Sequence, residues 1–137
     1  MYKAYASKSV LTHRVDTYTY TGGAHGGTSV ETFIYTADST LVKPQDLFVD
    51  QAGVQKFSEL VTAGALALPD YKEAINTEWL ADSAGPDASN FKTLAFDGTD
   101  VIVIFQQYDI APYAAGIIEV SVPFSQLGGI LKPEFLK

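Results

Sequence analysis

Phe91-Lys92-Thr93-Leu94-Ala95-Phe96-Asp97-Gly98-Thr99-Asp100-Val101-Ile102-Val103-Ile104-Phe105 decides the fold. Two runs rich in β-forming residues are separated by the four polar residues Asp97-Gly98-Thr99-Asp100, the pattern of a hairpin. The second run, Val101 to Phe105, is apolar on both faces of a strand. That predicts a central strand with a helix on one side and something else on the other. Downstream, Ile117 to Val122 alternates, with Ile118, Val120 and Val122 on one face and Glu119 and Ser121 on the other, and Pro123 to Leu131 reads as a short helix. Upstream, Asp70 and Glu73 resemble a capping box opening a helix with Tyr71, Ile75 and Trp79 on one stripe. Gly85-Pro86-Asp87 ends that helix, and Trp79 is read as core. A longer helix precedes it, capped by Asp50, carrying Val54, Phe57, Leu60, Val61 and Leu68 near helical spacing and stopped by Pro69. Lys43 to Phe48 reads as a turn.

Further towards the N-terminus, Val10 to Tyr20 and Val30 to Thr36 are rich in Thr, Tyr, Val and Phe and read as two strands. The loop between them, Thr21 to Thr28, has glycine at four of eight positions, which permits a tight reversal. Met1 stands directly before another strand-like stretch, as happens when a domain is cut from a longer chain. Strands, then helices, then strands give an α+β domain. The expected architecture is an antiparallel sheet of about four to five strands with one or two helices packed on one face.

The chain has 137 residues, which is the size of one domain spanning 1–137, and its apolar content of 47% excludes a disordered tail. Nine Lys and Arg against sixteen Asp and Glu give a formal charge of −7. This balance points away from nucleic acid, whose phosphates call for clustered cations, and favours basic partners. There is no cysteine, hence no disulfide framework, thiolate metal site or cysteine nucleophile. No apolar run is long enough to span a bilayer, so any membrane attachment would come through segments outside this chain.

Histidine occurs only at positions 13 and 25, and no metal-ligand spacing appears, so neither a metal nor a cofactor is expected. His13 alternates with Leu11 and Val15 on one strand face and reads as a satisfied, partly buried side chain. His25 lies in the glycine-rich loop, where it either hydrogen-bonds the loop backbone or serves a binding role. Gly22-Gly23-Ala24-His25-Gly26-Gly27 lacks the spacing and the following helix of a phosphate-binding loop. Asp38, Asp46, Asp50 and Asp70 occupy turn and cap positions. No catalytic pattern emerges, and the chain is not expected to be an enzyme. Tyr108-Asp109-Ile110-Ala111-Pro112-Tyr113-Ala114-Ala115-Gly116 joins the central strand to the last one. Pro112 restricts its neighbour and Gly116 frees the exit, so the loop holds one shape. Its tyrosines either anchor a protein partner or fold back onto the domain.

Tyr20-Thr21-Gly22-Gly23-Ala24-His25-Gly26, Leu47-Phe48 after Lys43 to Asp46, the Tyr108 to Gly116 loop and Val120 to Leu127 together resemble the RsiV-like C-terminal domain family, in order, from about Val10 to Leu131. The resemblance implies a non-catalytic extracytoplasmic binding or sensing module of a bacterial cell-envelope protein. In the family's namesake, an anti-sigma factor, this domain helps to recognise lysozyme. Similar domains accompany peptidoglycan deacetylases, which gives an alternative role as an accessory peptidoglycan-binding domain. Carried onto this chain, the expected contact residues are Tyr108, Pro112, Tyr113, His25 and Gly23. Two departures are visible: Gln106-Gln107 replaces a frequent Asn-Pro pair, and Gly27 stands where Asn is common.

Overall fold

The computed structural model describes every residue from Met1 to Lys137. Strands β1 (Tyr2–Ala6), β2 (Val10–Thr19) and β3 (Gly27–Thr36) form one antiparallel sheet in that order. Strands β4 (Leu94–Phe96), β5 (Asp100–Phe105) and β6 (Ile118–Pro123) form a second. Helices α1 (Pro44–Leu47), α2 (Gln51–Leu66) and α3 (Thr77–Ser83) complete the α+β fold. The strands therefore number six and divide between two sheets, where four to five on one sheet were expected.

The central position of β5 follows from its composition. Val101, Val103 and Phe105 face Val54, Phe57 and Val61 of α2 within a core of 25 buried residues. On the opposite face Ile102 and Ile104 pack with Ala95 and Val30, so the layer behind β5 is the first sheet. Burying a large aliphatic or aromatic side chain contributes about 1.5–3 kcal/mol. A strand covered on both sides is thus where the fold gains most per residue. Helix α2 comes close because Gly64 faces β6: a Cβ there would lie 2.7 Å from Val120 Cγ1.

The sheets join without a shared ladder. Thr12 and Thr32 point inward from β2 and β3, and their hydroxyls accept from the backbone N–H of Phe96 (3.2 Å) and Leu94 (3.1 Å). Buried backbone donors at the β4 edge are thereby satisfied. Arg14, 6% exposed, spans the same junction. It donates to both carboxylate oxygens of Asp16 (2.7 and 3.1 Å), to Glu119 on β6 (2.9 Å) and to the Tyr5 hydroxyl (3.2 Å). Burial opposes the guanidinium charge, but these hydrogen bonds outweigh it and hold its pKa well above the usual range.

Helix caps decide the remaining departures from expectation. Asp50 accepts from Gly53 N (2.8 Å) and opens α2, as its position predicts. Asp70 to Ala74, expected to begin a helix, is a run of turns, and the next helix begins at Asn76, whose Oδ1 accepts from Glu78 N and Trp79 N (both 3.0 Å). That shift in phase buries Leu80 and Ala84 and leaves Trp79 at the surface, 38% exposed. The Lys43 to Phe48 turn closes into the single helical turn of α1, and the expected helix from Pro123 shrinks to the 3-10 turn Phe124–Gln126.

Three turn aspartates make stability acid-sensitive. Partial burial disfavours the Asp97 carboxylate, yet donation from Thr99 N (2.9 Å), Asp100 N (2.7 Å) and the Thr99 hydroxyl holds its pKa below the ordinary value. The Thr36 hydroxyl depresses Asp38 in the same direction, and the Ser89 hydroxyl and amide depress Asp87. A carboxyl with a depressed folded pKa contributes stability that is complete above its unfolded value near 4 and is lost as pH falls through the folded value. Thermal unfolding should therefore show a level melting temperature down to about pH 4 and a decline below it, smaller in Asp97→Asn. A melting temperature still level at about pH 2 would contradict this account.

Candidate functional site

Two loops meet at one end of the first sheet: the β2–β3 connection and the long β5–β6 connection. The second is anchored from below. Ile110 and Ala111 are buried, Ile110 O accepts from Asn76 N (2.8 Å), and Asp109 O accepts from the Ser83 hydroxyl (2.7 Å). Asp109 also closes a tight turn, its carboxylate accepting from Gln106 N (2.8 Å) while its own N–H donates to Gln106 O (3.1 Å). Inside that turn Tyr108 adopts φ +71°, a left-handed conformation that costs a bulky residue on the order of 1 kcal/mol and that recurs at functional positions. The ring is thereby directed to solvent, 56% exposed.

Tyr113 links the loops. Its hydroxyl donates to Gly26 O (2.7 Å), and its ring stacks on His25 with centroids 3.8 Å apart and planes inclined by 17°. Tyr108 lies beside it at 5.9 Å. His25 Nδ1 is 2.9 Å from the same Gly26 oxygen. A carbonyl can only accept and has two lone pairs, so Nδ1 carries the proton and both bonds coexist. Glycine is required at position 26 because a Cβ there would lie 2.8 Å from Thr19 O and 2.4 Å from the Tyr18 ring. Gly23, at φ +89°, supplies a carbonyl that accepts from the Tyr20 hydroxyl (3.0 Å).

Of the residues singled out in the sequence, Tyr108, Tyr113 and His25 form one aromatic strip, and Gly23 shapes the loop beside it. Pro112 lies off the strip, lining a shallow groove with Asp70, Tyr71, Ala74, Ala114 and Ala115. Of the two readings of Tyr113, the structure shows the ring folded back onto the domain, half-buried against His25 and Gly26. His25 likewise bonds the loop backbone while its ring stays exposed. His13, half-buried on the far face of the first sheet, shares a hydrogen bond with the Tyr2 hydroxyl and lies near Tyr35. No carboxylate hydrogen-bonds His25 to orient it as a base, and no group of three or more His, Asp or Glu side chains is placed to hold a metal ion.

Sequence reading missed Gln106 and Gln107. The Gln106 amide accepts from Val30 N (2.8 Å) and donates to Val30 O (2.7 Å), while Gln107 accepts from Thr28 N (2.9 Å). Together they act as a short stand-in strand on the β3 edge and hold the two loops in register. Two adjacent glutamines directly after a central strand were the available signal.

A family model described as a protein of unknown function (DUF3298) matches residues 45–125. The chain belongs to the DUF3298 family. Two solved structures share the architecture of this DUF3298 chain. A DUF3298 family protein from Pseudomonas aeruginosa PAO1 is 21% identical, with a TM-score of 0.72, over 98% of this chain and 61% of its own. A member of the family from Bacteroides fragilis NCTC 9343 is 22% identical, with a TM-score of 0.72, over 97% of this chain and 54% of its own. The DUF3298 chain thus spans less than two thirds of either protein, and at these identities the likeness speaks for the fold. No curated protein matches the sequence.

Proposed function

We propose that this DUF3298 chain is a non-catalytic, RsiV-like binding or sensing module of a bacterial cell-envelope protein, lying outside the cytoplasm, and that it contacts a basic protein such as lysozyme through the Tyr108–Tyr113–His25 strip. The observation that carries the reading is the fixed strip itself. Stacking and the shared Gly26 carbonyl hold the Tyr113 and His25 rings in place before any partner arrives, with Tyr108 exposed beside them, so little side-chain entropy of those two rings is lost on contact. Tyrosines held in this way make good anchors. The −7 charge suits a basic partner by steering its approach. The alternative, an accessory domain for peptidoglycan, draws on the exposed Trp79 and Tyr108 rings, which are free to stack on sugars.

Titration calorimetry with a basic animal lysozyme at low and physiological salt tests the reading. Binding should be one-to-one and weaken as salt rises. Tyr113→Ala should cost on the order of 1–3 kcal/mol of affinity, and Tyr113→Phe, which keeps the ring and loses the link to Gly26, should cost less. Undiminished affinity in a folded Tyr113→Ala variant removes the strip from the interface. No binding at either salt removes lysozyme, and a pull-down with purified peptidoglycan then decides the alternative.

A further inference from the structure

We propose that the open edge of β1 is a docking strand for an extended, acidic segment of a partner protein, independent of the aromatic strip. Met1 and Asp16 exchange both backbone hydrogen bonds (2.7 and 2.8 Å), and Ser7 N donates to Val10 O (3.0 Å). With Lys3 paired to Arg14 and Tyr5 to Thr12, the odd-numbered residues face β2. In an antiparallel pair the intervening residues turn their polar groups the other way. Tyr2, Ala4 and Ala6 therefore present their N–H and C=O groups outward, and no backbone or side-chain group of the chain bonds them. Only the Ala6 carbonyl is approached, by Gly98 of the β4–β5 turn.

The other edges are answered differently. Gln106 and Gln107 bond Val30 and Thr28 on the β3 edge, Thr40 and Val42 bond Thr36 and Ile34 further along it, and the hydroxyls of Thr12 and Thr32 close β4. The remaining edge, β6, carries Glu119 and ends in Pro123, which repel an acidic strand and interrupt pairing. An unpaired edge is a template for a further strand, in which main-chain bonds supply affinity and alternate side chains supply selectivity.

Charge selects the occupant. Although acids outnumber bases sixteen to nine in the chain, residues 1–15 contain Lys3, Lys8 and Arg14 and no acid at all. Arg14 is committed to Asp16 and Glu119, whereas Lys3 and Lys8 are exposed, Lys3 resting 4.7 Å above the Tyr5 ring. Where β1 ends, a cleft of about 450 Å³ opens beside Ala6, with Lys8, Leu11, His13 and Tyr35 among its walls. A second copy of this chain fits poorly, because it would place like lysines together between two bodies of charge −7.

The probe is a fluorescent, N-acetylated heptapeptide of alternating Glu and Val, compared with alternating Lys and Val. The acidic peptide should bind and slow exchange of the Ala4 and Ala6 amides by about tenfold or more, leaving β6 unchanged. Lys3→Glu with Lys8→Glu, both surface changes, should weaken binding by about tenfold or more, and N-methylation of alternate peptide amides should abolish it while leaving the protein untouched. Ala4→Pro, which removes a donor only on the open side, should do the same. Equal binding of the Lys peptide, failure of the Glu peptide to bind, protection elsewhere than β1, or a dimer paired through β1 in sedimentation would each overturn the proposal. Loss of lysozyme binding would leave it standing, since the strip and the edge are tested by different variants.

Discussion

Arg14→Ala should destabilise the domain by about 3 kcal/mol, a fall in melting temperature on the order of 10 °C. The cause is the partner left behind more than the bond lost. The Asp16 side chain is 14% exposed and takes both its guanidinium hydrogen bonds from Arg14, so truncation leaves a carboxylate at the sheet junction with no cation and little water. Removing one member of a buried pair is costly for that reason, while removing both is frequently mild. Arg14→Met with Asp16→Ala should accordingly recover most of the loss, because the methionine keeps the apolar stem and no charge is stranded. Glu119 is the weaker member. Its side chain is 42% exposed and can turn to solvent, so Glu119→Gln should cost well under 1 kcal/mol. Chemical denaturation of the three variants checks the ordering. An Arg14→Ala loss that the double variant does not relieve would mean that packing of the arginine stem, not the orphaned charge, holds the sheets together.

The junction also marks the limit of what the residues disclose. Val101 to Phe105 announces a strand covered on both faces, and the structure places α2 on one side and the first sheet on the other. What no strand pattern reveals is whether two hairpins extend one ladder or stack as two sheets. Here the choice rests on Thr12 and Thr32, whose hydroxyls bond β4 where a continuous sheet would use backbone carbonyls. Threonine reads as an ordinary strand residue, so the sequence carries no separate sign of that use. The aromatic strip was partly legible: a rigid loop and a glycine-rich loop flagged Tyr108, Tyr113 and His25. Their convergence depends on Gln106 and Gln107 bonding β3, a contact across more than seventy residues that local periodicity does not encode.

Phe57→Ala should cost about 3–5 kcal/mol, whereas Trp79→Ala, which deletes a larger side chain, should stay within about 1 kcal/mol. Phe57 is fully buried in α2. Its ring meets Phe91 edge-on at 4.9 Å and Phe48 at 5.5 Å, so truncation opens a cavity between aromatic neighbours that belong to two separate segments and cannot both close inward. Trp79 has its size without its setting. Had a helix run through from Asp70, Trp79 would share a face with Tyr71 and Ile75 and lie in the core. Because Asn76 starts the helix afresh, Leu80 and Ala84 take that place and the indole stays at the surface. Calorimetric unfolding of the two variants separates the phases directly. A Trp79→Ala loss approaching that of Phe57→Ala would mean that α3 docks through the tryptophan face in solution, and the exposed ring would then be withdrawn from any role in stacking on sugars.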